Sequence, residues 1–238
     1  MDEVQAGPDR GSLTAMLEEP ARARREPLTR ERIVRSALRI MDEEGLAAVT
    51  MRRIGRDLGV EAMSLYNHVQ DKDEILQAVC EEVLAGFRLP QVEEWTEATR
   101  EAAREYRRIL LAHPNVITLM TERKAPIANP DSLRAYEFAL DLFRTAGLSP
   151  ADAVMAFHAF GGYILGYVTM ELGPMVGGTQ DEAHVVAQEQ MARLVATANL
   201  PRIREALPYF AECDVEAQFE FGLDLLIGGI RATIATTP

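Results

Sequence analysis

An all-α fold is what this sequence predicts. Ala, Leu, Glu and Arg dominate the 238 residues, and aromatic residues make up only 6%. Apolar residues recur at helical spacing through most of the chain, while no run alternates apolar and polar as a half-buried strand would. Helix start and stop signals punctuate that pattern at short intervals.

Residues 1–27 are rich in Gly, Pro, Arg and Glu without a sustained period, and are expected to form a flexible arm. Thr29 is an N-cap for a helix whose inward positions are Ile33, Ala37, Ile40 and Met41, stopped by Gly45. Thr50 caps a two-turn helix, MRRIGRDL, closed by Gly59, and AMSLYNHV forms a second short helix. Asp71 to Glu74 is a D-x-x-E capping box opening a longer helix with Ile75, Leu76, Val79 and Val83 inward and Gly86 at its end. Beyond a linker at Pro90, one helix is expected from Glu93 to about Thr121, and another from about Asp131 to Thr145, closed by Gly147. Ser149-Pro150-Ala151-Asp152 is a strong helix start. Residues 173–181 read as a loop, followed by helices over about 182–198, 202–207 and 214–234.

The formal net charge is −12, which does not suggest a polyanion as partner. The distribution is uneven, however. Residues 20–70 hold ten arginines and no lysine against seven acids, so positive charge gathers near the N-terminus of an acidic chain. Two cysteines, Cys80 and Cys213, make neither a disulfide framework nor a zinc spacing, and both read as inert thiols. The opening MDEVQAGPDRGS has no apolar run and reads as no signal peptide, so a cytoplasmic setting is expected. Residues 153–170 carry no Asp, Glu, Lys or Arg and are long enough for a membrane span. They also contain His158, three glycines and Thr169 and lack flanking Lys or Arg, which fits a buried or interface helix of a soluble protein with no membrane partner. No metal-ligand spacing, nucleophile elbow or phosphate loop appears, so neither enzymatic activity nor a cofactor is expected.

The informative segment is TMRRIGRDLGVEAMSLYNHVQDK, residues 50–72. Two short helices flank Leu58-Gly59-Val60, and Gly59 can take the left-handed conformation that a sharp turn needs. Leu65 and Val69 point inward. Met63, Tyr66 and Asn67 then share another face, with Ser64 and His68 at its flank. Met, Tyr and Asn together make a poor solvent face but a good DNA face. Met and Tyr can pack on thymine methyls, Asn can read a base edge, and Ser, His and Lys72 can reach phosphates.

The run RIVRSALRIMDEEGLAAVTMRRIGRDLGVEAMSLYNHVQDKDEIL resembles the DNA-binding domain of the tetracycline-repressor (TetR) family. Further on, RILLAHP, AGLSPADAV, GGYILGYV and FEFGLDLLIGGI resemble the regulatory domain of its tetracycline-repressor branch. The resemblance implies a flexible arm at 1–27, a helix-turn-helix domain with connecting helix at 28–88, and a ligand-binding and dimerisation domain at 89–238. It also implies a homodimeric repressor that binds a pseudo-palindromic operator in double-stranded DNA and leaves it when a small-molecule effector binds. The dimer would be built from helices at about 150–171 and 214–234, whose glycines allow close approach. Carried over by position, DNA contacts fall on Thr50, Arg52, Ala62, Met63, Ser64, Tyr66, Asn67, His68 and Lys72. Tetracycline repressors carry Gln where this chain has Ala62, so its operator should differ.

Arg53 and Arg56 read as solvated helix charges, and Arg22, Arg24 and Arg25 as either a solvated tail or a minor-groove arm. A helical carrier or enzyme on the same fold is the competing class, but it has no need of Arg52, Tyr66, His68 and Lys72 together. For the effector, Trp95, Tyr106, Met120, Arg123, Phe138, Phe157 and His158 are the candidate ligand-binding residues, although His158 could equally be a core or interface histidine. Arg88, Ala102 and Met120 stand where the tetracycline branch has His, Asn and a metal-ligating His. The expected effector is therefore apolar or aromatic and not a magnesium–tetracycline chelate.

Overall fold

The computed structural model describes residues 26–122, 133–173, 182–211 and 214–236. Among them are eleven α-helices, a short 3-10 turn at Leu46–Ala48 and no strand. The helices are α1 (Arg30–Glu44), α2 (Met51–Leu58), α3 (Ala62–Leu65), α4 (Lys72–Ala85), α5 (Trp95–Ala112), α6 (Pro114–Glu122), α7 (Arg134–Thr145), α8 (Pro150–Glu171), α9 (Glu182–Thr197), α10 (Pro201–Ala211) and α11 (Val215–Thr236). The arginines expected in the arm, together with Arg123 and Cys213, lie outside the described residues.

Local hydrogen bonds explain most boundaries. Thr29, Thr50 and Ser149 each accept a bond from the backbone N–H three residues on, at 3.3, 3.1 and 3.1 Å. Such caps each stabilise a helix by about 1 kcal/mol. Asp71 accepts from the Glu74 N–H at 2.8 Å, but Glu74 reaches back to the Gln70 N–H at 2.7 Å, one residue short of the usual reciprocal partner. Gly45 and Gly59 end α1 and α2 at positive φ, 87° and 68°.

Three elements differ from the sequence reading. The helix expected over 93–121 is two helices, because Pro114 has no N–H to continue α5 and disfavours helical backbone at His113. The helix expected over 202–207 runs from Pro201 to Ala211 with Pro208 inside it, the packing of α9 against α10 outweighing one bond that proline cannot donate. The second short helix is only Ala62–Leu65. Tyr66, Asn67 and His68 then continue as tighter turns, each N–H bonding the carbonyl three residues back.

Two cores organise the described residues. The first joins α1–α4 around Ile33, Ile40, Ile54, Leu65 and Ile75, and it includes Val116 and Leu119 of α6. The second joins α5, α7, α8 and α11 around Leu110, Phe143, Phe160, Phe219 and Leu223. α8 is the one described helix long and apolar enough to cross a membrane, by length and composition alone. It buries Ala153, Ala156, Phe160, Ile164 and Val168 at helical spacing within the second core. Its other side, with that of α11, exposes a large apolar surface on which Met155, Phe221 and Leu225 are each more than 60% accessible.

Candidate DNA-reading surface and ligand cavity

The reading head rests on a polar brace between α1 and α2. Asp57 pairs with Arg39, accepts a 2.7 Å hydrogen bond from the buried Ser36 hydroxyl, and lies 3.6 Å from Arg53. Arg53 is further clamped by both oxygens of Glu44. The Arg39 hydrogen bond is the main reason the Asp57 carboxyl titrates below its ordinary range, followed by Ser36 and the two arginine charges, which together outweigh burial. Arg53 is therefore committed to the brace, while Arg52, on the exposed side of α2, forms no ion pair among the described residues.

On this support the predicted DNA-contacting residues gather on one side. Met63 is 75% exposed and Tyr66 47%, unusual values for such side chains unless something covers them. Asn67 and His68 are exposed beside them, with Ser64, Ala62 and Lys72 partly covered at the margins. Leu65 and Val69 are buried beneath and fix the orientation of the short helix. The Thr50 oxygen is used as a cap acceptor, which leaves its hydroxyl hydrogen available to a phosphate. Sequence reasoning missed Gly55, where α2 meets the residues leading into α3 at backbone contact distance.

A cavity of about 130 Å³ lies among α4, α5, α6, α7 and α8. Of the ligand-contacting residues expected from sequence, Tyr106, Met120 and Phe157 line it. Trp95, Phe138 and His158 do not: Trp95 lies 5.9 Å beneath the Arg231 guanidinium, and His158 is exposed on α8 beside Phe157. The lining residues that sequence reasoning did not find include Leu84, Phe87, Thr99, Tyr136 and Phe160. Ala102 and Met120 are in the wall, whereas Arg88 is exposed and its backbone N–H bonds Glu105. Among the described residues no group of three or more His, Cys, Asp or Glu could hold a metal ion.

Arginines of α5 tie the cavity's scaffold to α11. Arg104 bonds Glu220 at 2.7 and 3.0 Å, and Arg100 reaches Asp224 at 2.5 Å. Arg107 forks onto Glu171 at 2.9 Å on both arms, reaches Glu216, and stacks 4.8 Å over Phe219.

A helix-turn-helix head with an uncovered Met–Tyr–Asn surface, joined through α4 to a helical body that carries an apolar cavity, has the build of a ligand-controlled DNA-binding protein. The tetR family of bacterial regulatory proteins matches residues 33–79, and the tetracyclin repressor-like C-terminal domain matches residues 89–234. The chain belongs to this family: it is a DNA-binding transcriptional repressor regulated by a small-molecule effector, not an enzyme. It is 33% identical to an HTH-type transcriptional regulator of Saccharopolyspora erythraea, over 87% of this chain and 86% of that protein. Among solved structures it resembles the Streptomyces coelicolor TetR family protein ActR in complex with actinorhodin, at TM-score 0.75 and 28% identity over 88% of this chain and 99% of that one. BioQ with its natural double-stranded DNA operator is similar at TM-score 0.61 and 27% identity, over 87% and 99% of the two chains.

Proposed function

We propose that residues 28–88 form the reading head, that Thr50, Arg52, Ala62, Met63, Ser64, Tyr66, Asn67, His68 and Lys72 make the DNA contacts, and that an apolar or aromatic effector occupying the cavity lowers operator affinity. One observation carries the coupling. α4 places Ile75 and Leu76 in the core of the head, while Leu84, near its other end, and the following Phe87 line the cavity. A ligand between those ends can favour one position of α4 over another, and so alter the fit of the head to DNA. ActR, a relative, holds actinorhodin in its solved complex, which supports a small-molecule effector here as well.

The working form is a cytoplasmic homodimer. The exposed apolar sides of α8 and α11, with Gly162, Gly166, Gly228 and Gly229 along them, suit close packing against the same helices of a second copy. Two heads related by a two-fold axis would then meet successive major grooves about 34 Å apart, or a modest multiple of that, on a pseudo-palindromic operator.

The effector is not magnesium–tetracycline, because the cavity wall offers Ala102, which cannot hydrogen-bond, and the Met120 thioether, a poor partner for a hard cation. The test pairs a gel shift on the gene's own upstream DNA with calorimetry. Magnesium-independent binding of an apolar polycyclic compound that releases the DNA is the expected result. Tight tetracycline binding that requires magnesium would refute the effector class, and DNA binding that stays weak on every sequence and vanishes with salt would refute the operator contacts.

A further inference from the structure

A second cavity, of about 330 Å³, adjoins the first. Leu84, Phe87 and Ala135 line both, and each is only partly buried, so the wall between the two is built of side chains that still face open space. Ala85, Leu89 and Arg134 complete the second cavity. Arg134 opens α7 and is exposed at the rim, next in sequence to the shared Ala135.

The two walls differ in what they can hold. The first has no charged side chain. Its polar members are the phenols of Tyr106 and Tyr136 and the hydroxyl of Thr99, which donates to the Trp95 carbonyl at 2.7 Å. Burial, with a smaller contribution from Tyr136, raises the Tyr106 pKa to about 12, so that phenol stays neutral at ordinary pH. A carboxylate inside the first cavity would lose its water without gaining a cation, so an aromatic ring fits there and a charge does not. Among the described residues Arg134 is the one charged side chain in either wall, and no Asp or Glu lines either. Arg134 already has a partner, but a guanidinium carries five N–H donors and keeps its charge, so a second acceptor can join the first.

We propose that the second cavity is an anion subsite: the effector is an amphipathic acid whose aromatic ring fills the first cavity and whose carboxylate passes the Leu84–Phe87–Ala135 wall to meet Arg134. This deepens the reading of the first cavity as the effector site and rests on it. The paired cavities set orientation as well as ligand class. The reverse orientation would bury the charge in the apolar wall, and a ring with no acid would forgo the charge-assisted bond.

The test compares 4-(1-naphthyl)butanoate with its primary amide, which share ring, arm and shape and differ in charge at neutral pH. Calorimetry on the full-length protein measures both. The acid should bind about fivefold more tightly at low ionic strength, the scale of an exposed ion pair, and the ratio should shrink as salt is added. Arg134→Gln should bring the two probes to equal affinity, and Arg134→Lys should restore a preference for the acid. Equal affinity in the parent, or a preference that survives Arg134→Gln, overturns the anion subsite and leaves the first cavity standing as the effector site. Gly161→Leu tests that cavity separately. Gly161 lines it, and a β-carbon there meets nothing within 4 Å, so the longer side chain should take the place of the ring without disturbing the fold, and binding of both probes should be lost. Undiminished binding of either probe to a normally folded Gly161→Leu protein, or no binding of either to the parent, overturns the cavity reading and the proposal with it.

Discussion

Gly55 and Val60 meet backbone to backbone. The Val60 N–H donates to the Gly55 carbonyl at 2.9 Å, and a β-carbon built on Gly55 would stand 2.9 Å from the Val60 carbonyl oxygen and 3.2 Å from the Ala62 nitrogen. No flexible side-chain tip is available to give way, so a methyl there must push the entrance to α3 off α2. Gly55→Ala should cost the head about 1–3 kcal/mol and abolish specific DNA binding. Hydrogen exchange localises the effect: protection should fall in α1–α4 and persist in α5, α8 and α11. Normal operator affinity in the variant would contradict this account.

The exposed reading surface separates two kinds of contact. Tyr66→Ala or Arg52→Ala should weaken binding to the cognate operator by about 1–3 kcal/mol each and barely affect unrelated DNA. Lys72→Ala should weaken both alike and reduce the slope of log affinity against log salt by about 1. Fluorescence anisotropy at several salt concentrations distinguishes the patterns. Unchanged operator affinity in a folded Tyr66→Ala protein would remove α3 as the recognition element.

The Asp57 brace gives the head a definite pH dependence. Its carboxyl titrates below its ordinary 3.8 in the fold, chiefly because of the Arg39 hydrogen bond. The unfolded chain therefore takes up the proton first. The stabilisation is complete above about pH 4 and is lost as pH falls through the folded value. Asp57→Asn should destabilise the protein by about 1–2 kcal/mol at pH 7, with the difference from the parent shrinking as pH falls through the folded value. Urea unfolding followed across that range measures it. A gap that stays constant with pH would mean the charge on Asp57 is not what stabilises the brace.

Gly222 fixes the crossing of α8 and α11. The Tyr163 hydroxyl donates to the Phe219 carbonyl at 2.8 Å, its ring stacks on Phe219, and a β-carbon on Gly222 would fall 2.2 Å from the Tyr163 oxygen. Gly222→Ala must swing Tyr163 away and lose its bond, at a cost of about 1–3 kcal/mol. Thermal unfolding should show the loss, and Tyr163→Phe in the same background should recover little of it. A melting temperature unchanged by Gly222→Ala would show that Tyr163 yields freely.

Much of this protein was legible in its sequence for a physical reason: the decisive forces were local. Thr29, Thr50, Asp71 and Ser149 cap helices three residues away, Gly59 turns the chain by its own φ, and the Leu65–Val69 spacing alone turns Met63, Tyr66 and Asn67 outward. Tertiary structure decided the rest. Trp95, Phe138 and His158 had suitable chemistry for the cavity, yet the crossings of α5, α7 and α8 put Thr99, Tyr136 and Phe160 in the wall. Arg104 and Glu220, 116 positions apart, meet only because α5 and α11 share a core. Met120 touches two cores only because the chain breaks at Pro114 and lays α6 across the joint between them. Periodicity shows that a helix has an apolar face; which partner covers that face depends on packing between segments far apart in the chain, a free energy that no local spacing encodes.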